Sequence, residues 1–124
     1  MKYIKDNPIV ILSFEFSKLI VLFTDELEQL RKYNLANQIF RSGTSIGSNI
    51  REAQNAESKS DFIHKMKIAA KETDEVIYWL ELCKEIKGLP DDDTLIEKAI
   101  ILHKMLNKII STTKANLKIN LLIC

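Results

Sequence analysis

Lysine is the side chain in this sequence best supplied for chemistry. Lys59, Lys65, Lys67, Lys71, Lys104, Lys108, Lys114 and Lys118 all fall between residues 59 and 118, and from Lys98 onward there is no acidic side chain at all. Each ammonium is a point charge with three donors. Several together hold a phosphate polyanion at low salt and release it as salt rises. Other groupings offer less. Asp61-x-x-His64 is one partial match to the Glu-x-x-His pair that a di-iron bundle needs twice. His103 has Ile100 where that motif requires a carboxylate, so no metal or other cofactor is expected. Glu72 and Glu75 pair more readily with Lys71 or Arg41 than serve as an acid and a base. Cys83 sits in an apolar stripe and reads as a buried structural thiol. There is no glycine-rich phosphate loop, Ser-His-Asp order or nucleotide fingerprint. These residues predict a protein that is not an enzyme.

The elements that must position those lysines are few and long, because 124 residues contain only 3 Gly and 2 Pro. That length holds a single domain, 1–124. A hydrophobic share of 46% and a charged share of 28% are globular values. A net charge of +1 excludes a uniformly basic surface. Cys83 and Cys124 have no metal-ligand or framework spacing, which implies a reducing cytoplasm. The apolar run from Ile9 to Phe23 is interrupted by Glu15 and Lys18. It is shorter than the roughly 20 residues of a membrane span, and no small-residue cleavage site follows it. A soluble, cytoplasmic protein with no membrane partner is expected.

The hydrophobic pattern predicts an all-α fold with helices over about 8–32, 35–57, 59–87 and 93–116. Asn7 and Pro8 mark the first start, as N-cap and first helical residue. Ile9, Leu12, Phe16, Leu19, Phe23 and Leu30 follow helical spacing there. Val10, Phe14, Val21 and Leu22 make the same helix apolar nearly all round, which points to self-association. Ser58 with Asp61, and Thr94 with Glu97, have the spacing of capping boxes. The third helix alternates four and three through Phe62, Met66, Ala69, Thr73, Val76, Leu80 and Cys83. Gly88 and Pro90 end it. The fourth repeats the period through Leu95, Ala99, Leu102, Leu106 and Ile109, a spacing that belongs to left-handed bundle packing. Short connections make neighbours antiparallel, giving an up-down-up-down four-helix bundle. The apolar tail Ile119 to Cys124 reads as a last helical turn or a frayed end.

The second helix carries an unusual run, RSGTSIGSNIREA, at 41–53. Ile39, Gly43, Ile46, Gly47, Ile50 and Ala53 make one stripe. Each Gly costs about 1 kcal/mol relative to Ala in a helix interior, so Gly43-xxx-Gly47 implies a close helix crossing. Arg41, Ser45, Ser48, Asn49 and Glu52 make a second, polar face. Ser and Asn compete with the helix backbone, and their concentration points to a hydrogen-bonded contact between helices or subunits. The other reading is a plain solvated face.

In the predicted topology one end collects Lys2, Lys5, Arg51, Lys59, Lys65, Lys67, Lys71, Lys104, Lys108, Lys114 and Lys118 against Asp6, Glu52, Glu57 and Asp61, a balance of +7. The opposite end balances at −6. The helix macrodipole accounts for cations at the end of the fourth helix. It does not account for those at the start of the third, where it disfavours them. With no RNA-binding signature or helix-turn-helix turn present, recognition of backbone and shape is expected over base readout.

The run QIFRSGTSIGSNIREAQNAESKSDFIHKMKIAAKETDEVIYWLELCKE resembles the signature region of the bacterial 23S rRNA intervening-sequence proteins. The motif Q-x-x-R-[SA]-x-x-S-I-x-x-N-I-x-E-[AG] is met by Gln38, Arg41, Ser42, Ser45, Ile46, Asn49, Ile50, Glu52 and Ala53. It continues at Ser58, Lys59, Asp61 and Phe62, then at Ala69, Glu72, Glu75 and Leu80, and the likeness covers roughly 8–115. The resemblance implies a bundle assembling into a ring-like homopentamer, with RNA or DNA as the suspected ligand. Relatives act beside retroelement reverse transcriptases, which makes such an enzyme the implied protein partner. No catalytic residue carries over.

Overall fold

The structure, a computed structural model, describes residues 6–123, with the side chains of 120–123 outside the described set. It contains four helices in a row: α1 (Pro8–Gln29), α2 (Tyr33–Ala53), α3 (Lys59–Glu85) and α4 (Asp93–Ile123). No strand occurs among the described residues.

Each boundary has a local cause. Asn7 is extended and Pro8 opens α1. The Asn7 amide makes no cap of its own and donates to Gln54 Oε1 at 3.1 Å, tying the start of α1 to the end of α2. At the other end Arg31 N–H donates to Glu28 O and Lys32 N–H to Leu27 O, both at 2.9 Å. This is a Schellman turn, and Arg31 occupies its left-handed position at φ 61°, where Gly is usual. α2 stops at Ala53 and not near Glu57, because three successive i→i−3 bonds from Gln54, Asn55 and Ala56 tighten the chain out of the helix. Ser58 Oγ caps α3 by accepting from Asp61 N–H at 3.0 Å. Asp61 Oδ2 reaches back to Glu57 N–H at 3.2 Å, one residue beyond a regular capping box. Gly88, at φ 92°, turns the chain after α3.

The cap of α4 is Asp92, whose Oδ1 accepts from Leu95 N–H at 3.0 Å. Thr94, expected to cap, lies inside the first turn. Asp92 comes first in the chain, and its carboxylate complements the positive helix end. The helix then runs to Ile123, so the backbone of 119–123 is helical and the tail extends α4. Cys124 lies outside the described residues.

Cross-helix contacts fix the topology. Gly43 lies against Ile20, and Gly47 against Ser13 and Ser17. Arg41 reaches Glu72 and Glu75, while Glu52 reaches Lys65. Asp74 meets His103, and Lys84 meets Asp93. In each pair of helices the lower number meets the higher, so all neighbours are antiparallel, in an up-down-up-down four-helix bundle. α1 also touches α4, though less extensively than the sequential pairs touch each other.

The core takes Met66, Ala69, Thr73, Val76, Leu80 and Cys83 from α3, and Leu95, Ala99, Leu102, Leu106 and Ile110 from α4. Ile110 is the last fully buried position of α4, and the expected Ile109 is only partly covered. On α1 the inner stripe is Ile9, Val10, Ser13, Phe16, Ile20, Phe23, Thr24 and Leu27. Leu12, Phe14, Leu19, Val21, Leu22 and Leu30 face outward, with Leu22 63% exposed. Ser13 and Thr24 are buried where leucines were expected, and Ser13 lies against Gly47 of α2.

Candidate nucleic-acid interface

The Gly-Ile stripe of α2 makes a close joint with α1. Ile39, Ile46 and Ile50 have no exposure, and Gly43 is buried between them. A Cβ on Gly43 would fall 2.7 Å from Ile20 Cγ1, and one on Gly47 would fall 3.2 Å from Ser17 Oγ and 3.3 Å from Ser13 O. Gly43-xxx-Gly47 thus receives Ser13-xxx-Ser17 and Ile20, a small-on-small crossing. Nothing in the sequence marked these serines as the partners, because an S-x-x-x-S spacing carries little signal by itself. They close their hydrogen bonds within α1, Ser13 to Val10 O at 3.2 Å and Ser17 to Ser13 O at 3.1 Å.

The polar face of α2 divides. Its ends contact α3, and its middle bonds to itself. Arg41 donates to Gln38 Oε1 at 3.1 Å, pairs with Glu75, and lies 3.7 Å from Glu72 Oε2. Glu52 lies 3.7 Å from Lys65 Nζ. Ser42, Ser45, Ser48 and Asn49 all turn back to carbonyls of their own helix, at Gln38, Arg41, Ser45 and Ser45. From this face the expected inter-helix hydrogen bonding is therefore confined to Arg41, and Glu52 adds an ion pair. The Ser and Asn side chains satisfy themselves locally, the behaviour that makes them poor helix formers. Burial raises the pKa of Glu72 and Glu75 raises it further, while Arg41 and Lys71 oppose both. Its Oε2 is buried with no hydrogen-bond partner, so burial outweighs the distant guanidinium.

The lysines sort by face. Lys65 turns toward α2 and its Glu52 partner. Lys59 begins α3 and is exposed. Lys67 and Lys71, one turn apart, share the α3 face that meets α4. Two turns above Lys67 on that face, Asp74 lies 3.3 Å from His103 Nε2. Eleven residues on from His103, again close to whole turns, Lys114 comes opposite Lys67. The positive charge of Lys67, and more weakly that of Lys118 one turn further, lowers the pKa of Lys114. Lys104 and Lys108 are exposed on the outward side of α4. Among the described residues Lys59, Lys67, Lys71, Lys104, Lys108, Lys114 and Lys118 make no ion pair. Lys2 and Lys5, counted at this end, lie outside the described residues. Arg51, also at this end, stands 5.4 Å from the Phe14 ring centroid.

Other candidate chemistry finds less support. His64 is exposed, Asp61 is engaged at the α3 cap, and no cluster of three or more His, Cys, Asp or Glu fit to hold a metal occurs among the described residues. Cys83 is buried, and burial pushes its thiol pKa up, away from the thiolate a nucleophile needs. Among the described residues no helix is long and apolar enough to cross a membrane.

An antiparallel four-helix bundle with one lysine-rich end and a glycine-cut second helix defines the class. The model of the 23S rRNA-intervening sequence protein family matches residues 5–108, and the chain belongs to that family. Lys114 and Lys118 lie beyond the matched stretch. A crystal structure of a protein of unknown function from the S23 ribosomal protein family of Bacteroides thetaiotaomicron VPI-5482 is similar, with 39% identity and a TM-score of 0.78. The alignment covers 82% of this chain and 97% of that one. No curated protein matches.

Proposed function

We propose that this chain is a non-enzymatic, self-associating helical bundle of the cytoplasm that binds RNA or DNA through phosphates at its lysine-rich end. The carrying observation is the gathering of Lys59, Lys67, Lys71, Lys104, Lys108, Lys114 and Lys118 at exposed positions with no ion pair among the described residues. Like charges brought together at a surface cost free energy that a polyanion returns. Phosphate contact without base readout fits a lysine surface with no inserted aromatic side chain.

Self-association rests on the exposed Leu12, Phe14, Leu19, Val21 and Leu22 of α1, of which Leu12 and Leu19 share a groove with Ile101 of α4. This much exposed apolar surface favours a contact. A ring-like homopentamer is the assembly the family likeness implies, and parallel stacking would sum the basic ends at one mouth. A retroelement reverse transcriptase is the proposed protein partner. The same apolar face favours a second reading, a protein-interaction scaffold without nucleic-acid contact. A groove of about 110 Å³ between α1 and α4, lined by Leu12, Leu19 and Ile101 among others, supports it.

Electrophoretic mobility shift with structured RNA separates the readings. The wild-type chain should retard RNA at low salt, and joint replacement of Lys67, Lys71, Lys114 and Lys118 by Glu should abolish the shift. Lys87→Glu, at the acidic end, should leave it unchanged. Absence of any shift at low salt refutes nucleic-acid binding and leaves the scaffold. Light scattering should give five times the 14.3 kDa chain mass, and a monomer mass would refute the ring.

A further inference from the structure

α1 has an opening on each of its flanks. On the α2 side a hollow of about 240 Å³ is lined by Val10, Phe14 and Ser17 of α1 and by Thr44, Gly47 and Ser48 of α2. Arg51 closes one end of it, with its guanidinium 5.4 Å from the Phe14 ring centroid. On the α4 side the groove of about 110 Å³ runs between Leu12 and Leu19 of α1 and Ile101 of α4, at the least extensive of the four helix seams. Leu12 and Phe14 stand about 160° apart around the helix, so the two openings face different ways. They take in residues 10–17 and 12–19 of α1 and therefore lie at one level along the bundle. Each has a projecting side chain at its rim: Phe14, 45% exposed, beside the hollow, and Ile101, 52% exposed, beside the groove.

The lining of the hollow decides what it can hold. Ser17, Thr44 and Ser48 each donate their hydroxyl hydrogen to a carbonyl of their own helix, at Ser13, Phe40 and Ser45. None is left to donate to a polar ligand, and the rest of the wall is Val10, Phe14 and the bare backbone of Gly47. An apolar side chain fits there without stranding a polar group. We infer that a second copy of the chain, in the same orientation, covers the hollow. Its Ile101 enters between Ser17, Thr44 and Ser48, while Phe14 enters its groove between Leu12 and Leu19. This rests on the self-association reading above and names the surfaces. The two surfaces differ, so the contact is head-to-tail and repeats from copy to copy. Because both lie at one level, the repeat carries no rise along the bundle and can close into a ring, where a rise would give a filament. Glu15 and Lys18, paired at 2.9 Å within one α1, fall between the two flanks and bring no net charge to the contact.

Thiol cross-linking and light scattering on the full chain test this, in a Cys124→Ser background with Cys83 buried. Ser48→Cys and Ile101→Cys together, both at exposed positions, should give under mild oxidation a ladder of disulfide-linked multiples of 14.3 kDa on denaturing gels. Either cysteine alone should give none, because like residues do not meet in a head-to-tail contact. Ser48→Trp fills the hollow and should reduce the mass in solution to that of one chain, while Lys87→Trp should leave it unchanged. Circular dichroism would verify that each variant folds. A wild-type multimer that forms no ladder and tolerates Ser48→Trp overturns these surfaces and leaves self-association intact. A dimer from one single-cysteine variant also overturns them, since it requires a two-fold contact. A single-chain mass for the wild-type protein overturns both the surfaces and the self-association reading.

Discussion

Replacing Gly43 by Ala should destabilise the bundle even though Ala is the better helix former. The added Cβ would lie 2.7 Å from Ile20 Cγ1 and 2.9 Å from both Cδ1 and Cγ2. All three atoms belong to one side chain with no exposure, and a β-branched residue in a helix has one strongly preferred χ1. Ile20 cannot turn aside, so α1 and α2 must part. Overpacking of this kind costs about 1 to 3 kcal/mol, and three contacts this short place it near the upper limit. Gly→Ala returns about 1 kcal/mol of helix propensity. The net expectation is a loss of about 2 kcal/mol. At Gly47 the contacts are 3.2 and 3.3 Å and one partner is the movable Ser17 hydroxyl, so Gly47→Ala should stay within about 0.5 kcal/mol of wild type. Urea unfolding followed by circular dichroism, at fixed protomer concentration because assembly adds to stability, reads both. Ile20→Ala removes all three clashing atoms, so the double variant with Gly43→Ala should show a favourable coupling of about 3 kcal/mol. A Gly43→Ala protein about 1 kcal/mol more stable than wild type would refute the close crossing.

Two further outcomes follow from local features. Arg31→Gly should stabilise by about 0.5 to 1 kcal/mol, since a left-handed non-glycine residue costs more than the chain entropy glycine adds; a lower urea midpoint would count against the Schellman turn. Glu72 binds its proton more tightly folded than unfolded, so its stabilising contribution is full below the ordinary Glu value of 4.5 and is lost as pH rises through the raised folded value. Glu72→Gln should therefore gain most over wild type at neutral pH, and the gain should shrink as pH falls toward 4.5. A pH-independent difference would show that burial does not govern this carboxylate.

Local rules made much of the fold legible. The four-three alternation of α3 named its buried residues from Met66 to Cys83 but missed Ala70 and took the half-buried Phe62 in place of Ile63, and Ser58 with Asp61 announced its start. Gly43-xxx-Gly47 announced a close crossing without identifying its partner, because that depends on which face of α1 turns inward. The abundance of Leu and Phe around α1 hid Ser13, Ser17 and Thr24 as inner residues. Arg31 takes the position usually given to glycine, so the end of α1 carried no composition signal. Asp92 and Thr94 both had capping chemistry, and only the path of the chain after Pro90 decided between them. The lysine-rich end was visible as a charge balance. Which lysines of α3 and α4 come to lie opposite one another is a matter of α3/α4 register, tied by Asp74 and His103, and no spacing within either helix could reveal it.

The binding of phosphates at the basic end is tested most directly by the salt dependence of RNA affinity. The logarithm of the association constant, plotted against the logarithm of salt concentration, should fall linearly for the wild-type chain. For the Lys67→Gln/Lys114→Gln variant the slope should be shallower by about 0.7 to 0.9 for each phosphate that the variant no longer neutralises. Parallel lines for the two proteins, or an affinity indifferent to salt, would contradict the account.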